Sequence, residues 1–297
     1  MRLELAWGCL RRFWLRHFRR RYIQRMAGLR RGEAIGCPHE VLDPRDLKYF
    51  RNVCDASWAP EDDPFAWRDR LPFARVGLCE LLLGTIVFGS ATVVFAWLWW
   101  PAAVVPAALG AEIWWFFRDP ERQIPQGEGL IVAPADGKIV LIEEGEDEFV
   151  GGPAVTIGIF LSVFNVHMNR APADVTVVGQ SYHPGKFLNA LRPASARENE
   201  RLETRLWDRQ APERRYRVRQ IAGAIARRIV TWTAPGRELA RGERFGMIKI
   251  GSRTELVLPR QDGLEILVNL GDKVRAGQTI LARYLQTERD PGSVTEQ

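Results

Sequence analysis

The feature that most constrains this chain is a stretch without any charged residue, which runs from Leu81 to Ala111. A bilayer crossing needs about 20 apolar residues. The first part of the stretch, about Val76 to Trp100, is long enough to cross if Glu80 lies at the interface. The prolines at Pro101 and Pro106 predict that the chain then turns back, and the return leg to residue 117 is short.

The flanks of this stretch favour a membrane setting. Tryptophans form belts of the kind found at membrane interfaces, at Trp97, Trp99, Trp100, Trp114 and Trp115. Arginines stand on both sides, which the positive-inside rule explains if both ends face the cytoplasm; they are Arg70, Arg75, Arg118 and Arg122. The sequence therefore predicts a shallow membrane-embedded helical hairpin over residues 75–117, with the rest of the chain on the cytoplasmic face of the cell membrane. The alternative is a hairpin buried in the core of a soluble protein.

Residues 1–74 are predicted to form a basic N-terminal extension and linker. Ten arginines lie between Arg2 and Arg31 against a single acid, Glu4, and apolar residues are interleaved with them. This charge asymmetry indicates an anionic partner, and no nucleic-acid-binding signature accompanies it. We therefore expect an amphipathic segment on an anionic membrane; a solvated basic helix is the alternative. No secretory signal is expected, because no short apolar region with a cleavage site follows the arginines.

From Arg118 onward, short apolar segments are separated by Gly, Pro and Asp, which is typical of β structure. Strands are predicted at residues 129–132, 137–142, 154–160, 175–178, 255–258 and 264–269. One helical stretch is predicted at about Gln220 to Arg228. Residues 118–297 are thus expected to form a β-rich α+β domain.

No metal is expected. Cys37, His39 and Cys54 are potential ligands, but their irregular spacing matches no zinc pattern. All four cysteines precede the polar C-terminal part, so no disulfide framework is indicated there.

One break in the strand pattern carries possible chemistry. The segment from Glu243 to Pro259 alternates apolar and polar residues much as a half-buried strand does, and Gly251 and Ser252 interrupt it. Glycine interrupts a strand where the backbone bends sharply or approaches another group closely. Here it places a hydroxyl directly after a carbonyl that the hydroxyl could attack. The alternative is a β-bulge with a solvated serine.

A self-attacking serine needs a base to take its proton and an acid to orient that base. His167 follows a very apolar strand, and Asp136 sits in the tight turn Pro134-Ala-Asp-Gly-Lys138. Alone, the first is more often a structural histidine and the second a plain hairpin turn. Together with Ser252 they predict one catalytic set.

At these residues the chain closely resembles the phosphatidylserine decarboxylase proenzyme family, in its shorter bacterial and archaeal branch. The resemblance spans about Trp114 to Leu281 and rests on five motifs in order. These motifs are Phe116–Arg122, Pro134–Gly137, Phe160–Pro172, Gln220–Val230 and Gly242–Arg253.

The resemblance implies a carboxy-lyase that makes its own pyruvoyl cofactor. Ser252 would attack the Gly251 carbonyl, and the resulting ester would eliminate and hydrolyse to leave a pyruvoyl group on residue 252. Residues 1–251 and 252–297 would then be two associated chains. The pyruvoyl group would form a Schiff base with phosphatidylserine and accept the electrons left by carbon dioxide, giving phosphatidylethanolamine.

The resemblance also bears on the base. Longer family members carry two histidines three residues apart in this motif, and the second acts in cleavage. Aligning on Val166-His-Met168 gives His167 that role, whereas aligning on the Leu-Ser that opens the motif puts Arg170 there, which cannot be a general base. His183 could assist. Arginines that could bind the lipid phosphodiester or carboxylate, unless they are simply solvated, are Arg170, Arg227, Arg228 and Arg244.

A second resemblance suggests both an architecture and a rival function. The segment from Gly271 to Gln278 is similar to a turn of lipoyl, biotinyl and membrane-fusion adaptor domains, which are small interlocked half-barrels. We expect antiparallel sheets in a half-barrel-like, barrel-sandwich-related domain. The alternative function is a non-catalytic membrane-anchored adaptor, but it would give no reason for Gly251-Ser252, and no carrier lysine is present. The sequence leaves the oligomeric state open, and a homo-oligomer is one alternative, since dimers are the commonest assemblies.

Overall fold

The structure is a computed structural model. It describes residues 66–192, 194–224, 228–233, 235–249 and 251–285, together with residues 13, 17, 18, 20 and 21. The predicted basic extension therefore lies almost wholly outside the described residues, as do Cys37, His39, Cys54 and Arg227.

An antiparallel pair of helices precedes the β domain. Helix α1 spans Leu78–Trp99, a 3₁₀ turn spans Trp100–Ala103, and helix α2 spans Val104–Phe116. Pro106 falls in the first turn of α2, where a missing N–H costs no helical hydrogen bond. The stretch Arg75–Phe116 is long and apolar enough to cross a membrane, and only 11% of its most apolar window is buried by the rest of the protein. The predicted hairpin is thus present as two helices.

Small residues let the two helices approach closely. A Cβ built on Gly84 would lie 2.7 Å from Ile113 Cδ1, and one on Gly110 would lie 3.3 Å from Phe88 Cβ. The Trp114 indole N–H donates to Thr85 Oγ1 at 2.8 Å. Small residues at a helix interface are typical of packing within membranes.

Fourteen strands make up the described β domain, and all of their ladders are antiparallel. They are β1 Leu130–Val132, β2 Gly137–Asp147, β3 Gly152–Leu161, β4 Met168–Arg170, β5 Val175–His183, β6 Arg201–Asp208, β7 Arg215–Ile221, β8 Arg228–Thr231, β9 Glu238–Leu239, β10 Arg244–Lys249, β11 Ser252–Pro259, β12 Leu264–Ile266, β13 Lys273–Val274 and β14 Ile280–Tyr284. A one-turn helix, α3, spans Ser195–Glu198. The strands form sheets of order β13-β2-β3-β11-β7-β6-β5-β9, β4-β10-β8 and β1-β14-β12. This confirms the predicted β-rich class with half-barrel antiparallel sheets.

Strand β11 lies in the middle of the largest sheet and is buried along its whole length. Ser252 is in register with Leu161 of β3, and Arg253 with Ile221 of β7. Alternate residues such as Leu256 and Leu258 face the main apolar core. Ser252 is therefore the first residue of a strand that is paired on both sides.

The other face of this sheet carries buried ion pairs that join neighbouring strands. Arg219 on β7 approaches Glu255 on β11, Glu203 on β6 and Asp147 on β2, with N–O distances of 3.4, 3.6 and 3.3 Å. Arg253 pairs with Glu255 at 2.8 Å. Separating a buried ion pair is costly because it leaves an uncompensated charge. These contacts therefore stabilise β11 in its place in the sheet.

The helical stretch predicted at Gln220–Arg228 is wrong. Gln220 and Ile221 end β7, where they pair with both β11 and β6, and Arg228 begins β8. The apolar spacing fitted a helix, but two neighbouring strands provide the backbone hydrogen bonds, and such tertiary pairing overrides local preference.

The base of the helix pair packs on the small sheet β4-β10-β8. Phe116 and Phe117 share an apolar cluster with Val166, Met168 and Met247. Lys249 of β10 also forms an ion pair with Glu80 in the first turn of α1. The helix pair is therefore joined to the domain beside the Gly251-Ser252 link.

Candidate active site

Ser252, the nucleophile predicted from the sequence, is the first residue of β11. Its side chain is fully buried, and its Oγ has no hydrogen-bond partner among the described residues. Gly251 has φ +63°, in the left-handed region that favours glycine. The link from β10 into β11 is thus sharply bent at the predicted scissile bond.

The Gly251 carbonyl lies against Gly223, in the segment that follows β7. A Cβ built on Gly223 would lie 1.4 Å from Gly251 O and 2.6 Å from its carbonyl carbon. No side chain fits in that space. The backbone at Gly223 therefore limits where the Gly251 carbonyl can lie.

His167, the base predicted from the sequence, is fully buried. Its Nδ1 lies 2.9 Å from the Asn165 carbonyl oxygen. Because a carbonyl can only accept, Nδ1 carries the proton and Nε2 presents a lone pair. Within the part of the chain that the structure describes, Nε2 is buried without a hydrogen-bond partner, and the ring packs on Phe116 with centroids 4.5 Å apart.

The pKa of His167 agrees with this assignment. Burial lowers the pKa from 6.5 to about 4, the hydrogen bond to Asn165 opposes that effect, and the charge of Arg118 adds to it. At neutral pH the ring is therefore uncharged and able to accept a proton.

A hydrogen bond between strands places His167 at the same end of the site as Ser252. Asn169 Nδ2 donates to Thr254 Oγ1 at 3.1 Å. His167 lies two residues before Asn169, directly before β4, and Ser252 lies two residues before Thr254 at the start of β11. The Ile248 N–H donates to the His167 carbonyl at 3.2 Å, which puts His167 on the Gly251 side of that bond. The backbones of His167 and Ser252 thus lie at the same end of the site.

Asp136 is buried nearby but has other partners. One carboxylate oxygen accepts from Arg122 at 2.9 Å and the other from the Ala276 N–H at 2.7 Å. Burial raises the pKa of Asp136 above its ordinary value, against the opposing effect of these two donors. In the described part of the chain no hydrogen bond joins Asp136 to His167, so the Asn165 carbonyl fixes the ring. The charge of Arg118 acts on both residues.

His183 lies away from the link. On successive strands of the sheet, His183 is paired with Arg201 and Arg201 with Ile221. Ile221 is in turn paired with Arg253 of β11. Three strand spacings of about 4.8 Å separate His183 from β11, or about 14 Å. Its Nε2 lies 3.8 Å from Glu203 Oε1.

Two of the arginines considered as lipid ligands are engaged within the domain. Arg170 is buried and donates to Asp119 at 3.2 Å and to the Gly242 carbonyl at 3.0 Å. Arg244 pairs with the other oxygen of Asp119 at 2.8 Å, and its side chain is one third exposed. Arg170 is therefore a structural residue in this geometry.

Sequence reasoning missed the roles of several residues around the link. Gly223 lies in the motif Gln220–Val230. Its contact with Gly251 was not predicted, because that contact depends on how two segments that are distant in the sequence come together. Gln220 Nε2 donates to Asn169 Oδ1 at 2.8 Å, and this buried pair had no sequence signal. Among the described residues, no group of three or more His, Cys, Asp or Glu side chains could hold a metal ion.

Ser252 is thus buried directly after a glycine in the left-handed region, and His167 lies at the same end of the site. The profile of the phosphatidylserine decarboxylase family matches residues 109–282. A phosphatidylserine decarboxylase proenzyme of Rhodopirellula baltica is 52% identical over 240 residues, which cover 81% of this chain and 100% of that protein. Those of Symbiobacterium thermophilum and Nitrosomonas europaea are 47% and 40% identical, over 63% and 74% of this chain and 86% and 96% of theirs. The chain belongs to the phosphatidylserine decarboxylase family, as its motifs predicted.

Proposed function

We propose that the chain is a membrane-associated, self-cleaving decarboxylase that converts phosphatidylserine to phosphatidylethanolamine. Family membership supports the reaction class. The observation that carries the self-cleavage is the buried, unpartnered Ser252 Oγ directly after Gly251, whose carbonyl is held against Gly223.

The first step is an acyl shift within the chain. His167 Nε2 takes the proton of Ser252 Oγ, and the oxygen attacks the Gly251 carbonyl carbon. The peptide C–N bond breaks, the proton passes to the nitrogen of residue 252, and an ester joins the two residues. The close contact at Gly223 limits the carbonyl to one position during the attack.

The second step separates the chains. Loss of the Cα proton of residue 252 expels the Gly251 carboxylate from Cβ and leaves dehydroalanine. Water then releases ammonia and leaves a pyruvoyl group at the start of β11. That group supplies a carbonyl that condenses with the serine amine of the substrate and draws in the electrons released with carbon dioxide.

Cleavage leaves the two chains interlocked. Strand β11 would begin the smaller chain, residues 252–297, and it pairs along its length with β3 and along its first part with β7. Strands β12 and β14 of the same chain form a sheet with β1 of the larger one. We therefore expect residues 1–251 and 252–297 to stay associated.

Asp136 belongs to the proposed catalytic set through its charge. The imidazole becomes positive when it takes the serine proton, and the negative charge of the Asp136 carboxylate would favour that state. Arg122 and the Ala276 N–H hold the carboxylate in place. Ala276 lies in the Gly271–Gln278 turn, so the feature that suggested an adaptor is part of the Asp136 site.

The proposed organisation follows the predicted boundaries. Residues 1–74 contact an anionic membrane surface, residues 75–117 anchor the chain, and residues 118–297 carry the chemistry on the cytoplasmic face. The exposed apolar surface of α1 and α2 supports the anchor.

Denaturing electrophoresis and lipid analysis of the purified protein test this function. The wild type should give two chains in place of one of 33.8 kDa, and should convert phosphatidylserine to phosphatidylethanolamine. Ser252→Ala should stay intact and inactive, while Ser181→Ala on β5 should behave as wild type. An intact wild-type chain that still makes phosphatidylethanolamine would contradict the mechanism.

A further inference from the structure

The turn at residues 162–165 connects the catalytic histidine to the helix pair. It follows β3 and precedes His167 by two residues. Its shape is fixed internally, because the Ser162 N–H and hydroxyl both donate to Asn165 Oδ1, at 2.9 and 2.8 Å. The Asn165 N–H donates back to the Ser162 carbonyl at 2.9 Å.

Two side chains at the end of α2 hold this turn from outside. The Phe164 carbonyl accepts from the Trp115 indole at 3.0 Å and from Arg118 at 2.8 Å. The Arg118 guanidinium also stacks on the Trp115 ring at 4.0 Å. The turn is therefore level with the last turn of α2, where the apolar helix pair meets the domain.

The tip of the turn is apolar and open. The Phe164 side chain is 63% exposed although its backbone is held rigidly, and Trp115 beside it is 52% exposed. Aromatic residues with a cation close by are typical of the membrane–water interface. A rigid, exposed phenylalanine continuous with an exposed apolar helix pair fits the acyl-chain boundary of a bilayer.

We infer that the 162–165 turn, with Phe164 at its tip, inserts into the bilayer surface and holds the entrance of the active site against the lipid leaflet. The substrate then enters past this turn directly from the membrane. The Asn165 carbonyl in the same turn accepts a hydrogen bond from His167 Nδ1 at 2.9 Å, so the turn lies directly beside the proposed base. The inference rests on the proposed function for its substrate.

A substrate comparison in nanodiscs tests the role in turnover. Phe164→Ser should cleave itself normally and turn over bilayer phosphatidylserine about tenfold more slowly, since burying a phenylalanine in an apolar phase favours binding by at least that factor. Turnover of monomeric dihexanoyl phosphatidylserine should be unchanged, and Phe164→Leu should restore the bilayer rate. Equal rates for Phe164→Ser and wild type in bilayers, or equal losses on both substrates, would overturn the inference.

A matched control is available on β6. Trp207 is 45% exposed. It lies about 20 Å, at 3.3 Å per residue, from Arg201 at the other end of β6. Arg201 is the residue of β6 that is aligned, through Ile221, with Arg253 beside Ser252, so Trp207 is far from the active-site end of the sheet. Trp207→Ser should change neither rate. A loss of bilayer turnover in this variant equal to that of Phe164→Ser would show a general effect of surface polarity and contradict the role of the turn.

Photocrosslinking separates this inference from the proposed function, because it needs no activity. Full-length protein with p-benzoylphenylalanine at position 164, irradiated in nanodiscs, should form adducts with lipid acyl chains, and the same group at position 207 should not. Absence of lipid adducts at 164 would overturn the inference even if the enzyme is active. If lipid adducts form at position 164 but the wild-type protein shows no decarboxylation, only the proposed function is contradicted.

Discussion

The carbonyl oxygen of Gly251 lies so close to Gly223 that a Cβ on Gly223 would come within 1.4 Å of it. Gly223 follows β7, and Gly251 precedes β11, with which β7 is paired. The pairing of these strands thus brings the Gly251 carbonyl against a backbone position that tolerates no side chain.

Gly223→Ala should therefore block self-cleavage. Misplacement of a reacting group by about 1 Å costs roughly 100-fold in rate, and the added methyl group must displace the carbonyl or its own segment. Denaturing electrophoresis during expression should show mainly the intact chain. Gly145→Ala is the matched control, because a Cβ there meets nothing within 4 Å, and it should cleave normally. Normal cleavage of a folded Gly223→Ala protein would contradict the role of this contact.

His167→Ala should slow cleavage by about 100- to 10,000-fold, which is the range for loss of a general base. The variant should fold, since the lost ring contacts Phe116 and a single backbone carbonyl. His183→Ala should cleave at the wild-type rate because His183 is about three strands away. Time courses of cleavage after synthesis in a cell-free system measure both rates. Full-rate cleavage without His167 would remove it from the mechanism.

The pH dependence of cleavage follows from the lowered pKa of His167. The imidazole is the active form when neutral, and its pKa of about 4 keeps it neutral well below pH 6.5. Cleavage should therefore proceed at a constant rate from neutral pH down to about pH 5 and decline as the pH approaches 4. A decline centred near pH 6.5 would show an ordinary, solvated histidine.

The same pKa predicts how stability varies with pH. The unfolded chain binds a proton at His167 below about pH 6.5 and the folded chain only below about pH 4, so stability falls as the pH drops through this window. The difference corresponds to about 3 kcal/mol. Urea unfolding of the uncleaved Ser252→Ala protein at pH 7 and pH 4 measures it. Adding His167→Gln should remove that part of the pH dependence; an unchanged dependence would contradict a buried neutral ring.

The sequence predicted those parts of the site that have a local signature. The apolar length of residues 76–100 indicated α1, and the glycine before Ser252 indicated the bend at Gly251. The contact between Gly223 and Gly251 had no such signature, because it arises from the pairing of β7 with β11. The partner of Asp136 was missed for a similar reason, since Arg122 reaches it only after the chain leaves α2 and crosses the domain.

The ion pair of Arg122 with Asp136 should contribute to stability. Both side chains are 9% exposed, and removing one member of a buried pair costs about 3–5 kcal/mol. Arg122→Met should therefore lower the free energy of unfolding by about that amount in the Ser252→Ala background. Arg122→Met with Asp136→Asn should be less destabilised than the sum of the single variants. Additive effects in urea denaturation would show that the two groups do not interact.

The intact masses of the purified chains test the central claim most directly. We predict a larger chain that ends at Gly251 and a smaller one of residues 252–297, lighter by one ammonia than a chain that begins with serine. Reduction with borohydride should raise the mass of the smaller chain by two hydrogens. A single intact chain, cleavage at another bond, or a smaller chain that begins with unmodified serine would contradict the account.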